Sequence, residues 1–115
     1  MRYEEIKYIP RETAIKYLAE DDDTTKIYAL LSIALHDDDW KWAQSINLKM
    51  IQDADVDSDV KDIAILCLGH IVRIHRILDL DVVMPMLDKL SNNPTHTGRV
   101  QDVLDDINIF FDKKK

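Results

Sequence analysis

The sequence has few of the residues that make tight turns, with two glycines and three prolines among 115 residues. An all-β fold needs many such turns, so this scarcity argues against a β-sandwich or a β-barrel. Long apolar runs are missing too. No stretch approaches the roughly 20 residues of a membrane span, and the first ten residues, MRYEEIKYIP, lack the apolar run of a signal peptide. We therefore expect no membrane partner.

Cysteine is nearly absent as well, since Cys67 is the only one. A single cysteine cannot form a disulfide within the chain, and this usage is typical of proteins from a reducing compartment. Together with the lack of a signal-peptide pattern, it predicts a cytoplasmic location.

Acidic residues are in excess, and the formal net charge at pH 7 is −7. The last three residues are all lysine, so residues 1–112 carry a net charge of −10. Such a surface repels nucleic acid and anionic lipid and attracts basic partners. The charge therefore predicts a basic macromolecular partner and no nucleic-acid partner. The alternative is that the acidity only keeps the protein soluble.

Apolar residues recur at helical spacing from one end of the chain to the other. The pattern predicts an all-α fold of about six helices and no strand. The predicted helices begin at Pro10, at a cap formed by Asp23, Thr24 or Thr25, at about Trp40, at about Asp59, at about Val82, and at a cap formed by Thr97 or Gly98.

Three expectations concern the packing of these helices. The fourth helix, from about Asp59 to Arg76, is apolar on more than one side and is expected in the middle of the fold. The third helix is expected to face the core with Ala43, Ile46 and Met50. Pro85 is expected in the first turn of the fifth helix, because a proline deeper in a helix removes a backbone hydrogen bond.

Internal similarity indicates how the helices are arranged. The pattern A-x-x-x-I-A that begins at Ala29 returns 35 positions later as A-x-x-x-L-G, beginning at Ala64. A period of this length is typical of stacked two-helix repeats, in which each hairpin buries its apolar side against the next. We therefore predict one domain, residues 1–112, built as a short solenoid of antiparallel hairpins, and a basic tail at residues 113–115.

The alternating aspartates from Asp53 to Asp59 are similar in spacing to a calcium-binding loop. An EF-hand loop that begins at Asp53 needs glycine at its sixth position and glutamate at its twelfth. This sequence has Ser58 and Ala64 there. The segment is therefore interpreted as a solvated acidic turn that caps the next helix.

Cys67 and His70 are three residues apart and can share a face of the predicted helix. A zinc site needs three or four ligands, and no second matching pair exists, so such a site requires Asp105 or Asp106 to pack nearby. No nucleophile motif and no glycine-rich phosphate loop occur. The sequence therefore predicts no resident metal, no cofactor and no enzymatic activity.

Arg73 is a single cation among apolar neighbours in the fourth helix. An interior charge needs a partner, so we predict a structural clamp between Arg73 and Asp105 or Asp106. Gly69 is predicted to let a neighbouring helix approach closely. Two alternatives stay open. The aspartates can instead form a solvated face, or the acid–base groups can be His70, Arg73 and His75 with Asp102, Asp105 and Asp106.

Trp40 and Trp42 follow the acidic run Asp37–Asp39. Residues two apart on a helix point in directions about 200° apart, so both rings are buried only if the helix is packed on two sides. An exposed tryptophan beside acids resembles a binding hot spot for a basic partner. The alternative is that both rings pack between hairpins.

Two segments resemble a HEAT repeat. DVDSDVKDIAILCLG, which ends at Gly69, is similar to the first helix of such a repeat, whose pattern tends to read D-x-x-V-R/K-x-x-A-x-x-x-L-G. VVMPMLDKLSNNP, from Val82 to Pro94, is similar to the second helix with its early proline. Lys61 replaces the commoner arginine. The resemblance covers residues 24–112 and implies a HEAT-like α-solenoid.

Three further strings carry a narrower resemblance: DDDWKWAQ from Asp37, LGHIVRIHR from Leu68 and GRVQDVLDDINIF from Gly98. They are similar to small bacterial HEAT-like proteins, some of which are immunity proteins of contact-dependent growth inhibition and related toxin systems. The resemblance implies an antitoxin that binds the toxin domain of its own system in the cytoplasm and occludes its active site.

Resemblance and charge together imply a basic toxin partner, a ribonuclease or other nuclease, in a 1:1 complex with a monomer of this chain. The expected toxin-binding residues are Asp37, Asp38, Asp39, Trp40, Asp105 and Asp106. The alternative function is a stand-alone HEAT-type adaptor that docks a housekeeping protein.

Overall fold

The computed structural model describes residues 5–111. This part of the chain contains the helices α1 (Arg11–Leu18), α2 (Asp23–His36), α3 (Trp40–Gln52), α4 (Ser58–His75), α5 (Leu80–Leu90) and α6 (Thr97–Phe110). It contains no strand, so the prediction of an all-α fold with six helices is confirmed. None of the helices in residues 5–111 is both long and apolar enough to cross a membrane. The predicted basic tail, 113–115, lies outside the described residues.

Aspartate side chains fix the start of three helices. The carboxylates of Asp22, Asp39 and Asp57 accept hydrogen bonds from the backbone N–H groups of Thr25, Trp42 and Asp59. Each bond satisfies a donor that has no partner within its own helix. The cap of α2 therefore lies one residue before the predicted set, at Asp22.

α6 begins without a side-chain cap. His96 occupies the cap position, and the Thr97 hydroxyl bonds the backbone carbonyls of Ser91 (3.3 Å) and Asn93 (3.0 Å). The predicted cap at Thr97 or Gly98 is therefore wrong, because Thr97 stabilises the preceding turn instead.

α4 is the most buried helix, as expected, and packs against α2, α3 and α6. Its buried residues are Val60, Ala64, Ile65, Cys67, Leu68, Gly69, His70, Ile71 and Val72. Contacts on three sides explain why its apolar residues do not form a single stripe.

α2, α4 and α6 run in the same direction, because residues near their first turns meet and so do residues near their last turns. The first-turn pairs are Asp23 with Asp57 and Asp62 with His96. The last-turn pairs are Asp37 with His75 and Arg73 with Asp106. We refer to the region of the first-turn pairs as the amino end of the fold and to that of the last-turn pairs as the carboxyl end.

α3 turns a different face to the core from the one predicted. Its buried residues are Ala43, Gln44, Asn47, Leu48 and Ile51, whereas Ile46 and Met50 are half-buried. The two amides have internal hydrogen-bond partners, since Gln44 Oε1 accepts from the Asp79 backbone N–H (2.7 Å) and Asn47 Nδ2 donates to the Ala43 carbonyl (2.9 Å). Bonded amides are tolerated inside a fold, and apolar spacing alone therefore misplaced this face.

α5 differs from the predicted second helix of a repeat. α4 packs on α2, α3 and α6, and α5 packs on α6. Arg76, with φ 62°, ends α4 in the left-handed conformation and turns the chain away. Pro85 lies in the sixth position of α5 rather than in its first turn, on the exposed side of the helix. The HEAT-like repeat itself stays a prediction.

The segment before α1 lies in an extended form along α2, an arrangement that the sequence pattern did not predict. Tyr28, Ser32 and His36 are spaced by four residues and so share one face of α2. Their side chains bond the backbone of residues 6–9, with distances from 2.7 to 3.1 Å. Ile6 is buried in this arrangement and belongs to the hydrophobic core.

Candidate functional site

The acidic loop between α2 and α3, Asp37–Asp39, is held by an arginine from α1. Arg11 donates to both carboxylate oxygens of Asp37, at 3.0 and 3.1 Å, and lies 3.3 Å from Asp39. Its guanidinium also stacks over the Trp42 ring, 4.3 Å from the centroid. Paired and stacked contacts of this kind suit the planar arginine side chain. The loop is therefore ordered, and a cation of the same chain compensates part of its charge.

The pKa values of the loop follow from these contacts. The hydrogen bond from Arg11 lowers the pKa of Asp37, and the backbone N–H of Trp42 lowers that of Asp39, with a smaller contribution from Arg11. Both carboxylates are thus held in the charged form. The side chain of Asp37 is only 10% exposed, whereas Asp38 and Asp39 are exposed. Only these two offer accessible charge.

An open cleft of about 620 Å³ borders the loop. Its lining residues are Tyr8, Arg11, His36, Asp37, Asp38 and Asp39. Trp40 and Trp42 are both half-buried and pack against the core. Neither of the two alternatives for the tryptophans therefore holds completely, because each ring keeps part of its surface open.

A second cluster joins α4 to α6. Arg73 Nε donates to Asp106 Oδ1 at 3.0 Å, and a Cβ atom added to Gly69 would lie 2.5 Å from the other carboxylate oxygen of Asp106. Gly69 therefore leaves the space that the carboxylate occupies. The structure thus pairs Arg73 with Asp106 and not with Asp105.

Asp106 was also expected at the toxin-binding surface, but it is 6% exposed and its carboxylate points into the α4–α6 contact. An aspartate that compensates a cation between two helices is not available to a partner. Asp105 is exposed and accepts a hydrogen bond from Gln101 (3.0 Å). Of the two, only Asp105 belongs to the accessible surface.

The amino end brings two carboxyl groups of different helices together. Asp23 of α2 lies beside Asp57, and a side-chain hydrogen bond between the two carboxyl groups raises the pKa of Asp23, with smaller contributions from desolvation and from the charges of Asp57 and Asp59. The Thr25 hydroxyl donates to Asp22 (2.6 Å) and lowers its pKa. At this end, the contact with Asp57 thus disfavours the charged form of Asp23.

Beside them, Asp62 of α4 is held from α6. It accepts a hydrogen bond from Arg99 Nε (2.8 Å) and lies 3.3 Å from His96 Nδ1. The sequence did not indicate this contact, because its partners are more than 30 residues apart. Asp62 and Asp106 thus tie α4 to α6 at opposite ends.

Cys67 and His70 are buried residues of α4. Burial raises the pKa of the Cys67 thiol and lowers that of the His70 imidazole, so both groups favour the neutral form. No group of three or more histidine, cysteine, aspartate or glutamate residues that could hold a metal occurs within residues 5–111.

Arg11 is the functional residue that sequence reasoning missed. One signal was available, because a cation in the first turn of a helix is unfavourable beside the positive end of the helix dipole. Its presence there at Arg11 indicates a partner outside the helix. Nothing in the local pattern identified Asp37, 26 residues away, as that partner.

The fold and these clusters define an all-α protein whose accessible surface is charged at both ends of a six-helix stack. A chain in the structure titled "Crystal structure of CDI complex from Cupriavidus taiwanensis LMG 19424" is similar to it, with 31% sequence identity and a TM-score of 0.85. The alignment covers 96% of each chain. No protein-family profile and no curated protein matches the sequence significantly. The chain belongs to the family of small helical immunity proteins of contact-dependent growth inhibition (CDI) systems, which confirms the resemblance seen in its sequence.

Proposed function

We propose that the protein binds the toxin domain of its own CDI system and blocks the toxin's active site. The observation that carries this proposal is the similarity, over nearly its whole length, to a chain of a CDI complex. A complex of that kind requires a protein partner. Inhibition then depends on occupancy alone, without catalysis by this chain, in a 1:1 complex in the cytoplasm.

The charge supports a nuclease as the toxin. Residues 1–112 carry a net charge of −10, and an enzyme that cleaves nucleic acid needs a basic groove for the phosphates. Aspartate carboxylates, like phosphates, are oxyanions that lysine and arginine bind, so they can occupy a groove that binds phosphate. Opposite charges also accelerate encounter between the two proteins.

The toxin-binding residues that we propose are the accessible members of the predicted set: Asp38, Asp39, Trp40 and Asp105. Asp37 takes part indirectly, because its pairing with Arg11 holds the loop in one conformation. A rigid loop loses little conformational freedom when the partner binds. The half-buried Trp40 offers an aromatic edge beside the carboxylates, as in many interface hot spots.

The test uses the toxin domain encoded beside this protein's gene. Purified toxin is titrated with the protein while cleavage of an RNA or DNA substrate is followed, and binding is measured by calorimetry. We expect cleavage to stop at one equivalent. Failure of the pure proteins to bind would contradict the proposal and favour the adaptor function. Binding without loss of nuclease activity would contradict occlusion alone.

The contact residues are tested with Asp38→Asn and Asp39→Asn combined. We expect slower association and a weaker dependence of the association rate on salt, because exposed charges steer the encounter. Asp88→Asn, an exposed carboxylate on α5, is the matched control. Equal rates for the wild type and the loop variant would place the interface elsewhere.

A further inference from the structure

One side of α4 is left open by its neighbours. Ile63, Leu66, His70 and Ile74 follow one another at spacings of three, four and four residues, so they form one ridge along the helix. The other sides of α4 pack against α2, α3 and α6. Ile63 and Leu66 are half-buried, and Ile74 is 48% exposed. The ridge therefore presents accessible apolar side chains at Ile63, Leu66 and Ile74, whereas His70 between them is buried.

A second exposed row lies on α6. Asp102, Asp105 and Ile109 are spaced by three and four residues, and all three are exposed. Ile109 is 66% exposed. Asp105 accepts a hydrogen bond from the neutral amide of Gln101, so this contact does not compensate its charge.

The two rows lie on the same side of the α4–α6 pair. The helices run in parallel and touch through Arg73 and Asp106. With about 100° per residue, Ile74 is rotated by about 100° in one sense from Arg73. Asp105 is rotated by about 100° in the opposite sense from Asp106. Opposite rotations about parallel helices that face each other bring both residues to one side.

We infer that this side, the α4–α6 face (Ile63, Leu66, Ile74, Asp102, Asp105 and Ile109), is the main surface that holds the toxin domain. The inference rests on the proposed function and extends it. An accessible apolar centre bordered by carboxylates is the composition of an interface with a hydrophobic middle and a charged rim. The partner that complements it is a protein with apolar side chains surrounded by lysine and arginine.

Continuity with the acidic loop supports this placement. Ile74 precedes His75, which lies close enough to Asp37 to contribute to its lowered pKa, so the α4–α6 face and the acidic loop both lie at the carboxyl end. The loop supplies steering charge, and the face supplies apolar area that water leaves on binding. Apolar burial at the centre of an interface contributes most of the affinity.

The test compares lysine substitutions at three exposed isoleucines. Ile74→Lys and Ile109→Lys place a cation on the face, and Ile15→Lys places it on α1 at a site that is 52% exposed. Dissociation constants for the toxin domain are measured by calorimetry, with thermal melts to verify folding. We expect about tenfold weaker binding or more for the two face variants and less than about twofold for the control.

Asp105→Lys, with Asp88→Lys as its control, gives a second comparison if an isoleucine variant does not fold. If the wild type binds the toxin domain and the face variants bind it equally tightly, the α4–α6 face is not the binding surface. The proposed function would still stand. Absence of wild-type binding would overturn the proposed function first. A wild-type dimer in sedimentation that Ile109→Lys converts to a monomer would show that the face joins two copies of this chain, and would also overturn the inference.

Discussion

The two ends of the helix stack use the same residue, aspartate, in opposite ways. At the carboxyl end, Arg11 pairs with Asp37 and Arg73 pairs with Asp106. At the amino end, Asp23 faces Asp57. The pKa of Asp37 is lowered by its arginine, and that of Asp23 is raised by its acidic neighbour. Charged Asp37 therefore stabilises the fold and charged Asp23 destabilises it, although Asp62 at the amino end is itself paired with Arg99.

The number of acidic residues therefore does not by itself describe the charge that a surface offers to a partner. Three consecutive aspartates, Asp37–Asp39, stand directly before Trp40 in the sequence. In the structure, Arg11 neutralises part of their charge. A surface that binds a charged partner needs accessible charges and a stable fold that holds them in place. The carboxyl end has paired, mostly buried carboxylates beside exposed ones, and substitutions at each kind separate these two roles.

The largest effect is expected for Asp106→Ala at the carboxyl end. The change removes a charge-assisted hydrogen bond to Arg73 and should lower the free energy of unfolding by about 1–3 kcal/mol. The lower part of that range is favoured because the Arg73 side chain is half-exposed, and water can replace its partner. Urea denaturation measures the effect. Asp105→Ala, at an exposed neighbour, should change stability by less than about 0.5 kcal/mol, and equal losses in the two variants would refute the clamp.

Gly69→Ala should have the next largest effect. The added methyl group overlaps the Asp106 carboxylate, and overpacking of this kind lowers stability by about 1–3 kcal/mol. Alanine's higher helix propensity returns about 1 kcal/mol. In the Asp106→Ala background the overlap is gone, so the same substitution should become neutral or stabilising. Denaturation of the two single variants and the double variant tests this, and additive losses would contradict the packing argument.

Arg11→Gln should affect the loop more than the fold. The pKa of Asp37 should rise, because its largest lowering contribution is the hydrogen bond from Arg11. Carboxylate titration by NMR measures this shift in the wild type and the variant. The pKa of Asp39 should rise less, since the Trp42 backbone N–H still donates to it. A larger rise at Asp39 than at Asp37 would show that Arg11 does not organise the loop.

The sequence predicts features that depend on residues close together in the chain, and it does not predict those that depend on contacts between distant residues. The number of helices and the central position of α4 were predictable, because the spacing of apolar residues shows which faces of each helix are buried. The clamp at Arg73 was predictable as a type of contact, since one cation stood among apolar residues. The choice of Asp106 over Asp105 depends on the rotation of α6 and on the space at Gly69, which the sequence alone does not specify.

Other features depended on contacts across the fold. The backbone of residues 6–9 meets Tyr28, Ser32 and His36 only after α1 has folded back along α2. The buried face of α3 depends on the loop at Asp79, whose backbone N–H donates a hydrogen bond to Gln44 Oε1. In a pattern of apolar spacing, a polar residue with a distant partner cannot be told from a surface residue. For this reason the contact of residues 6–9 with α2 was missed and the buried face of α3 was misassigned.

The smallest effect, and the sharpest test of the contrast between the ends, is the pH dependence of Asp23→Asn. A carboxylate with a raised folded pKa weakens the fold at neutral pH, and the penalty disappears as pH falls through that pKa, which lies above the usual value of about 3.9. Asp23→Asn should therefore raise the melting temperature at pH 7, and its advantage should vanish below about pH 4. The raised pKa means that the contact with Asp57, chiefly its hydrogen bond, favours protonated Asp23 more than the helix start favours the charged form. Asp37→Asn has the opposite sign, because its lowered pKa contributes stability that is present above about pH 3.9 and lost as pH falls through the folded pKa. Melting curves from pH 3 to 7, with Asp88→Asn as the control, compare the two. A loss of stability in Asp23→Asn at pH 7 would show that the two ends do not differ in the way their pKa values indicate.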